Sequence, residues 1–382
     1  MQEAEDTKEE RMDRRSFGKN RMLCLLAGGF LFVGFLLCVF LPKAEYSDSE
    51  RRRLAVLPRL SVEAIVGGQF MEDFESFTVD TFPFREQLRK CKAWTAFHLF
   101  RRQDNGGLYD ADGSLAAMEY PLRENSLDQA AGQFAAVCEA YLTQENHIYL
   151  SVIPDKNCFL ARDSGHPSMD YEEFERLIRQ KTGFAEYIRI SDLLDKDDYY
   201  RTDPHWRQEK LADVAKRLLQ RMNAQPAASQ EYEMRTVRRE FYGAYYGQAA
   251  LPAQPDALRY LTGEDISACT AYDWQNQKAI PVYDRQKAEG KDPYEMFLSG
   301  PLSLVTLHHP NARKGRRLVL FRDSFGSALA PLLAEGYEQI TLVDIRYIRA
   351  DVLGELVDFE GCDVLFMYST LVLNHSEEFK KY

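Results

Sequence analysis

Met22 to Leu41 reads MLCLLAGGFLFVGFLLCVFL, a run of twenty residues without a charge or a strong polar group. Wound as an α-helix, such a run is about 30 Å long, the thickness of a bilayer's hydrocarbon core. Arg11, Arg14, Arg15, Lys19 and Arg21 precede it, whereas the nine residues after it hold only Lys43. Basic flanks stay in the cytoplasm, which puts the N-terminus inside and the long C-terminal portion outside. Arg51, Arg52 and Arg53 lie farther from the run and weaken that contrast only in part. A cleaved signal needs a shorter apolar stretch and a small-residue cleavage site. The Leu-Pro-Lys-Ala-Glu after Phe40 does not supply one, and Leu37 is too bulky to precede a lipoprotein Cys38. The reading is a single-pass anchor over 22–41, a disordered cytoplasmic tail over 1–21, a juxtamembrane linker over 42–60 and an extracytoplasmic domain over 61–382.

A hydrophobic share of 45% is enough to pack a core for that domain. The formal charge of -11 argues against a nucleic-acid partner and against docking of the whole domain onto anionic lipid. Cys24 and Cys38 lie in the apolar run. Cys91, Cys138, Cys158, Cys269 and Cys362 are scattered without a C-x-x-C, so no zinc site is predicted and no disulfide is required. No metal and no cofactor is called for.

From Ser61 to Phe100 apolar residues recur at helical spacing, interrupted at Pro83, which predicts two helices meeting at a bend. LYDADGSL (Leu108 to Leu115) reads as strand, D-G turn, strand. A helix is expected around Asn125 to Thr143, capped by Asn125 or Ser126. The continuous apolar run HIYLSVIP (His147 to Pro154) fits a strand covered on both faces. A helix around Tyr171 to Lys181, a strand in AEYIRI and a helix through Leu211, Val214, Leu218 and Leu219 come next. The C-terminal third alternates RRLVLF, a helix from Ser327 to Glu335, ITLVDI, a helix from Asp351 to Val357, and DVLFMYS. Such alternation predicts βα units, a largely parallel sheet and the α/β class. Residues 223–304, with the Tyr/Gly-rich FYGAYYGQ, read as an insertion beside that sheet.

Two short stretches offer chemistry. In Phe321-Arg322-Asp323-Ser324-Phe325-Gly326 a buried strand gives way to a helix, the position where parallel sheets bind ligands. Ser324 there gains exposure and the N–H groups of a starting helix; the alternative is that Asp323 or Ser324 merely caps that helix. In TDPHW, Asp203 and His205 would share one face if the segment is extended, so that the carboxylate orients the imidazole. A surface His205 stacked on Trp206, and a metal pair of Asp203 and His205, are the alternatives. Lys156 (in IPDK) and Arg346 (in VDIRY) end strands at the same sheet edge, where each meets an anionic substrate group or a structural ion-pair partner. His308 and His309 precede Pro310 in an expected, partly exposed turn.

TDPHW with a later DSF resembles the SGNH-hydrolase-like proteins that O-acetylate bacterial exopolysaccharides, the alginate acetylation proteins among them. The DHHW family of Gram-positive bacteria is more similar still. The resemblance runs through the N-terminal anchor, the E-R-R-L…LP stretch (Glu50 to Pro58), FPFR (Phe82 to Arg85), LYDADGSL, IPDK, TDPHW, FYG (Phe241 to Gly243), DSFG and VDIRY. It implies a flavodoxin-like, SGNH-hydrolase-like fold, with Ser324 as nucleophile, His205 as base and Asp203 orienting it. It also implies a cell-envelope glycan as substrate and a membrane-bound acyltransferase as donor partner. Two positions depart from the pattern. Pro204 stands where the family name has its first His, and Arg322 stands where many relatives have Gly, so that it either crowds the turn or contacts substrate. An idle glycan-binding scaffold, with FYGAYYGQ stacking on sugars, is the alternative to an enzyme.

Overall fold

The computed structural model describes residues 2–47, 49–226 and 231–380, and the chain divides into two compact units, Met1–Lys92 and Ala93–Tyr382. The helices expected at the start of the α/β domain thus fall largely within the first unit. That unit opens with one helix, Gln2–Phe40, whose stretch Lys19–Phe40 is long and apolar enough to cross a membrane. The helix continues back through the tail, where the sequence suggests disorder. Glu, Lys and Arg are good helix formers, and extending an existing helix avoids the cost of a nucleus. A short antiparallel pair, Tyr46–Ser47 with Arg52–Arg53, leads into helices Val62–Val66, Gln69–Asp80 and Arg85–Trp94. The break lies around Pro83, as its fixed φ and missing N–H require.

The second unit is built on a sheet of eight strands: β1 (His147–Ile153), β2 (Glu186–Tyr187), β3 (Thr270–Asp273), β4 (Lys278–Ile280), β5 (Leu304–His308), β6 (Arg317–Arg322), β7 (Gln339–Val343) and β8 (Asp363–Ser369). Their spatial order is β4-β3-β5-β7-β6-β8-β1-β2. The block β7-β6-β8-β1-β2 is parallel, and β5, β3 and β4 extend it antiparallel. Counted from β6, with β1 and β2 taken last, the parallel strands run 2-1-3-4-5, the flavodoxin-like order begun at a different point in the chain. The topological switch point then lies between β6 and β8.

Alternation along the central strands feeds two apolar layers. Leu318, Leu320, Leu365 and Met367 face one side, packed under helices α3 (Ala212–Arg221) and α4 (Ser324–Leu333). Val319, Phe321, Val364 and Phe366 face the other, under α1 (Glu124–Tyr141) and α2 (Tyr171–Lys181). Both faces are covered, which is why these strands read as unbroken apolar runs.

Several expectations shift in detail. The hairpin forms as read, with Asp112 and Gly113 at φ 53° and 82° in its turn. Helix α1 begins at Glu124 without a side-chain cap, and the buried Ser126 hydroxyl donates to the Leu373 carbonyl instead, at 2.8 Å. Helix α4 begins three residues earlier than expected, and the last expected helix is a 3-10 segment, Ala350–Glu355. Residues 223–304 do not simply lie beside the sheet. They contain a separate hairpin, Glu233–Phe241 with Asp256–Thr262, and they also supply β3 and β4, joined to the sheet through β5.

Candidate active site

Ser324 is the first residue of α4, directly beyond the carboxyl end of β6. The cap is Asp323. Its Oδ1 accepts the Phe325 N–H at 3.0 Å, and its Oδ2 accepts the Ser369 N–H at 2.7 Å, fastening the start of α4 to the end of β8. The Gly326 N–H reaches the Asp323 carbonyl at 3.1 Å. With those two donors engaged, the Ser324 N–H is left at the head of the helix, where the dipole favours negative charge. A Cβ on Gly326 would stand 2.6 Å from Arg322 Cβ, so this glycine lets the helix start against the arginine stem.

The Asp203–His205 stretch is a turning loop and not an extended strand. Tyr199 bridges Trp206 antiparallel, and the Tyr200 N–H donates to the His205 carbonyl at 3.1 Å. The two side chains meet because the aspartate folds over its own backbone: Asp203 Oδ1 accepts the His205 N–H at 3.2 Å and stands 2.5 Å from His205 Nδ1. Such Asx-type closure is a local habit of Asp. Asp203 Oδ2 accepts the Ala244 N–H at 2.8 Å, and a Cβ on Gly243 would lie 2.1 Å from Asp203 Cβ. The FYG glycine is therefore a contact point for the carboxylate.

His205 Nε2 lies 2.7 Å from Ser324 Oγ. The imidazole is sandwiched: Tyr294 stacks on it at 3.8 Å and 10°, and Phe325 tilts against it at 4.8 Å. Buried Trp206 donates from Nε1 to the Phe325 carbonyl at 3.1 Å, tying the loop to α4. Asp203 is fully buried, while 13% of the His205 side chain is exposed. A carboxylate, an imidazole with both nitrogens engaged and a hydroxyl on a helix N-terminus are thus in line, the arrangement that activates a serine.

Of the three cations expected to meet substrate, Lys156 and Arg322 are buried and Arg346 keeps an exposed edge. Lys156 is buried, and Nζ donates to the carbonyls of Leu115, Tyr200 (2.8 Å) and Arg201 (3.3 Å). Burial pushes its pKa down to about 7, against the pull of Asp203, Asp256 and Asp155. Arg322 is also buried. It donates to the Leu302 carbonyl at 3.0 Å and stands 3.5 Å from Asp344, and burial lowers its pKa. Its stem packs against the turn at Gly326, and the side chain does not reach solvent. Arg346 pairs with Asp344 at 2.7 and 3.0 Å; burial works against its charge, but that carboxylate prevails and raises its pKa. Arg346 keeps 14% of its side chain exposed and so retains an edge toward solvent. A buried cation must be paired inside the protein, and that pairing consumes the donors a substrate would have used. His309 is buried as well, with Nδ1 3.0 Å from the Ala334 carbonyl.

Tyr294 and Ala244 escape a reading of the sequence. Both come from the 223–304 stretch, and neither belongs to a motif that names a contact with His205 or Asp203.

No protein-family model and no curated protein matches the chain. Solved structures do match. A DHHW family protein from Eubacterium siraeum is 19% identical with a TM-score of 0.56, over 72% of this chain and 95% of that one. The chain has the fold of that DHHW protein. Bacillus cereus PatB1, in a structure with a sulfonyl adduct, is 18% identical with a TM-score of 0.56, over 72% of this chain and 98% of that one. A second structure of PatB1 is 17% identical with a TM-score of 0.54, over 70% of this chain and 96% of that one.

Proposed function

We propose that the chain is a membrane-anchored, extracytoplasmic DHHW protein that uses Ser324, His205 and Asp203 to move acetyl groups to or from a cell-envelope polysaccharide. The observation that carries this reading is His205, 2.5 Å from Asp203 Oδ1 on one side and 2.7 Å from Ser324 Oγ on the other. Ser324 Oγ attacks the acetyl carbonyl while its proton passes to His205 Nε2. Asp203 holds the imidazole's other nitrogen and stabilises the imidazolium. The Ser324 N–H and the α4 dipole face the oxyanion. When the tetrahedral intermediate collapses, His205 returns the proton to the leaving alcohol and an acetyl-Ser324 ester remains. A sugar hydroxyl then gives its proton to His205 and attacks that ester; as the bond from the acetyl carbon to Ser324 Oγ breaks, His205 returns the proton to Oγ and the sugar leaves acetylated, while water in the same place gives acetate. The donor would come from a membrane-bound acyltransferase partner, and Arg346 is the expected cation with access to an anionic substrate group.

The test is acetyl release from p-nitrophenyl acetate by the purified chain and by Ser324→Ala. The expected result is that the native chain shows a burst and turnover that the variant loses, and that a sulfonyl fluoride modifies Ser324 stoichiometrically, leaving a sulfonyl adduct as PatB1 carries one. Equal rates in the two proteins with no modification would reject the serine route and leave a glycan-binding scaffold. Adding envelope oligosaccharides separates transfer from hydrolysis by whether the acetyl appears on sugar.

A further inference from the structure

Within the first unit the chain turns back immediately after the apolar helix. Tyr46 pairs with Arg53, Ser47 with Arg52, and the Leu54 N–H donates to the Glu45 carbonyl at 2.9 Å. Leu54 therefore sits beside Glu45, only five residues past Phe40 where the helix ends. Five extended residues reach about 17 Å, so the chain after Leu54 starts within that distance of the helix end.

The segment beyond Leu54 is apolar and open. Val56, Leu57, Leu60, Val62, Val66 and Met71 are between 61% and 82% exposed. An exposed set of that size on a folded chain marks a surface that something covers. Ion pairs fix where it lies. Arg52 grips Asp80 through two bonds of 2.7 and 2.6 Å, and Arg85 pairs with Glu50 at 2.6 Å. The Ala55 N–H adds a third bond to Asp80, at 2.9 Å, and Lys43 Nζ stands 4.4 Å above the Phe77 ring. The E-R-R-L and FPFR motifs thus act together as a clasp: Glu50 and Arg52 on the hairpin hold Asp80 and Arg85 at the end of one helix and the start of the next.

We propose that this clasp lays residues 54–84 on the outer surface of the bilayer, with their exposed apolar side chains in the lipid interface. The inference rests on reading Lys19–Phe40 as a membrane span. Interfacial segments sink about 5–10 Å into the headgroup boundary, a depth within reach of a chain tethered so closely. Residues 54–84 carry Arg59 as their one base against Glu63, Glu72, Asp73, Glu75 and Asp80, so the attraction is apolar and not electrostatic. The covering surface is therefore a lipid interface without net negative charge.

The native full chain, reconstituted in phosphatidylcholine vesicles with a phospholipid carrying a diazirine high on its acyl chain, tests this by mapping photo-adducts. Expected are adducts in peptides of 54–84 as well as in 22–41. Addition of phosphatidylglycerol should not raise the yield, and a Val62→Asp, Val66→Asp, Met71→Asp variant should lose the 54–84 adducts several-fold while keeping those in 22–41. Adducts confined to 22–41 would overturn the interfacial placement while leaving the span intact. Their absence from 22–41 would overturn the span itself. A yield that rose with phosphatidylglycerol would overturn the apolar basis.

Discussion

At the residue scale the site depends on close approaches that few side chains permit. Tyr294 covers one face of His205 while its own buried hydroxyl has no hydrogen-bond partner among the described residues. The ring, and not the phenol, is then what matters. Tyr294→Phe should keep turnover on p-nitrophenyl acetate and leave stability equal or higher, because it removes an unsatisfied polar atom. Tyr294→Leu should lower turnover by about fivefold, the kinetic equivalent of an aromatic contact of about 1 kcal/mol. Steady-state kinetics on the two variants check this. Motif spacing nominates Ser324, His205 and Asp203, but it carries no information about which ring stacks on the imidazole. That contact joins residues 205 and 294, and packing alone selects it.

At the element scale α4 is where strand, cap and hydroxyl coincide. The apolar run of β6 and the Asp-Ser-Phe-Gly after it make a strand-to-helix turn legible, but they suggest a helix that begins at Ser327. It begins at Ser324 because Asp323 caps it and at the same time takes the Ser369 N–H from β8. Asp323→Ala should therefore cost more than an ordinary cap, about 0.5–2 kcal/mol, since it also leaves the buried Ser369 N–H without a partner. Urea unfolding measures the loss, and sulfonyl-fluoride labelling should slow as Ser324 loses its fixed position. The TDPHW loop shows the converse. Strand alternation anticipates the pairing of Asp203 with His205, yet that pairing arises from a turn in which the carboxylate caps its own backbone. The two-residue spacing serves both geometries, so the sequence could not choose between them.

At the scale of the whole molecule, Lys156 joins three distant segments, the 108–117 hairpin, the end of β1 and the loop that carries Asp203 and His205, through one buried amine. Its pKa is about 7 in the fold, against roughly 10.4 for an unfolded lysine. Between those values the unfolded chain binds the extra proton, so this group's contribution to stability rises as pH rises through that window. Lys156→Met should be less stable than the native chain, because the buried carbonyls of Leu115 and Tyr200 lose its N–H. The gap should widen from pH 7 toward pH 10, by at most about 1.4 kcal/mol per unit. A pH series of denaturant midpoints for the two proteins checks the sign. A gap that stayed constant over this range would mean that the lysine is held charged.

The apolar run Met22–Leu41, the unbroken strands β1, β6 and β8 and the D-G hairpin were written in the sequence alone, because period, length and turn chemistry are local properties of the chain. The α/β class and the nomination of the site residues came with them. The tertiary structure decided what depends on residues far apart. It set the strand order, which is flavodoxin-like only when counted from β6. It drew β3 and β4 of the supposed insertion into the sheet. It also turned Lys156 and Arg322 inward, because a buried cation is stable only beside partners that no local pattern announces.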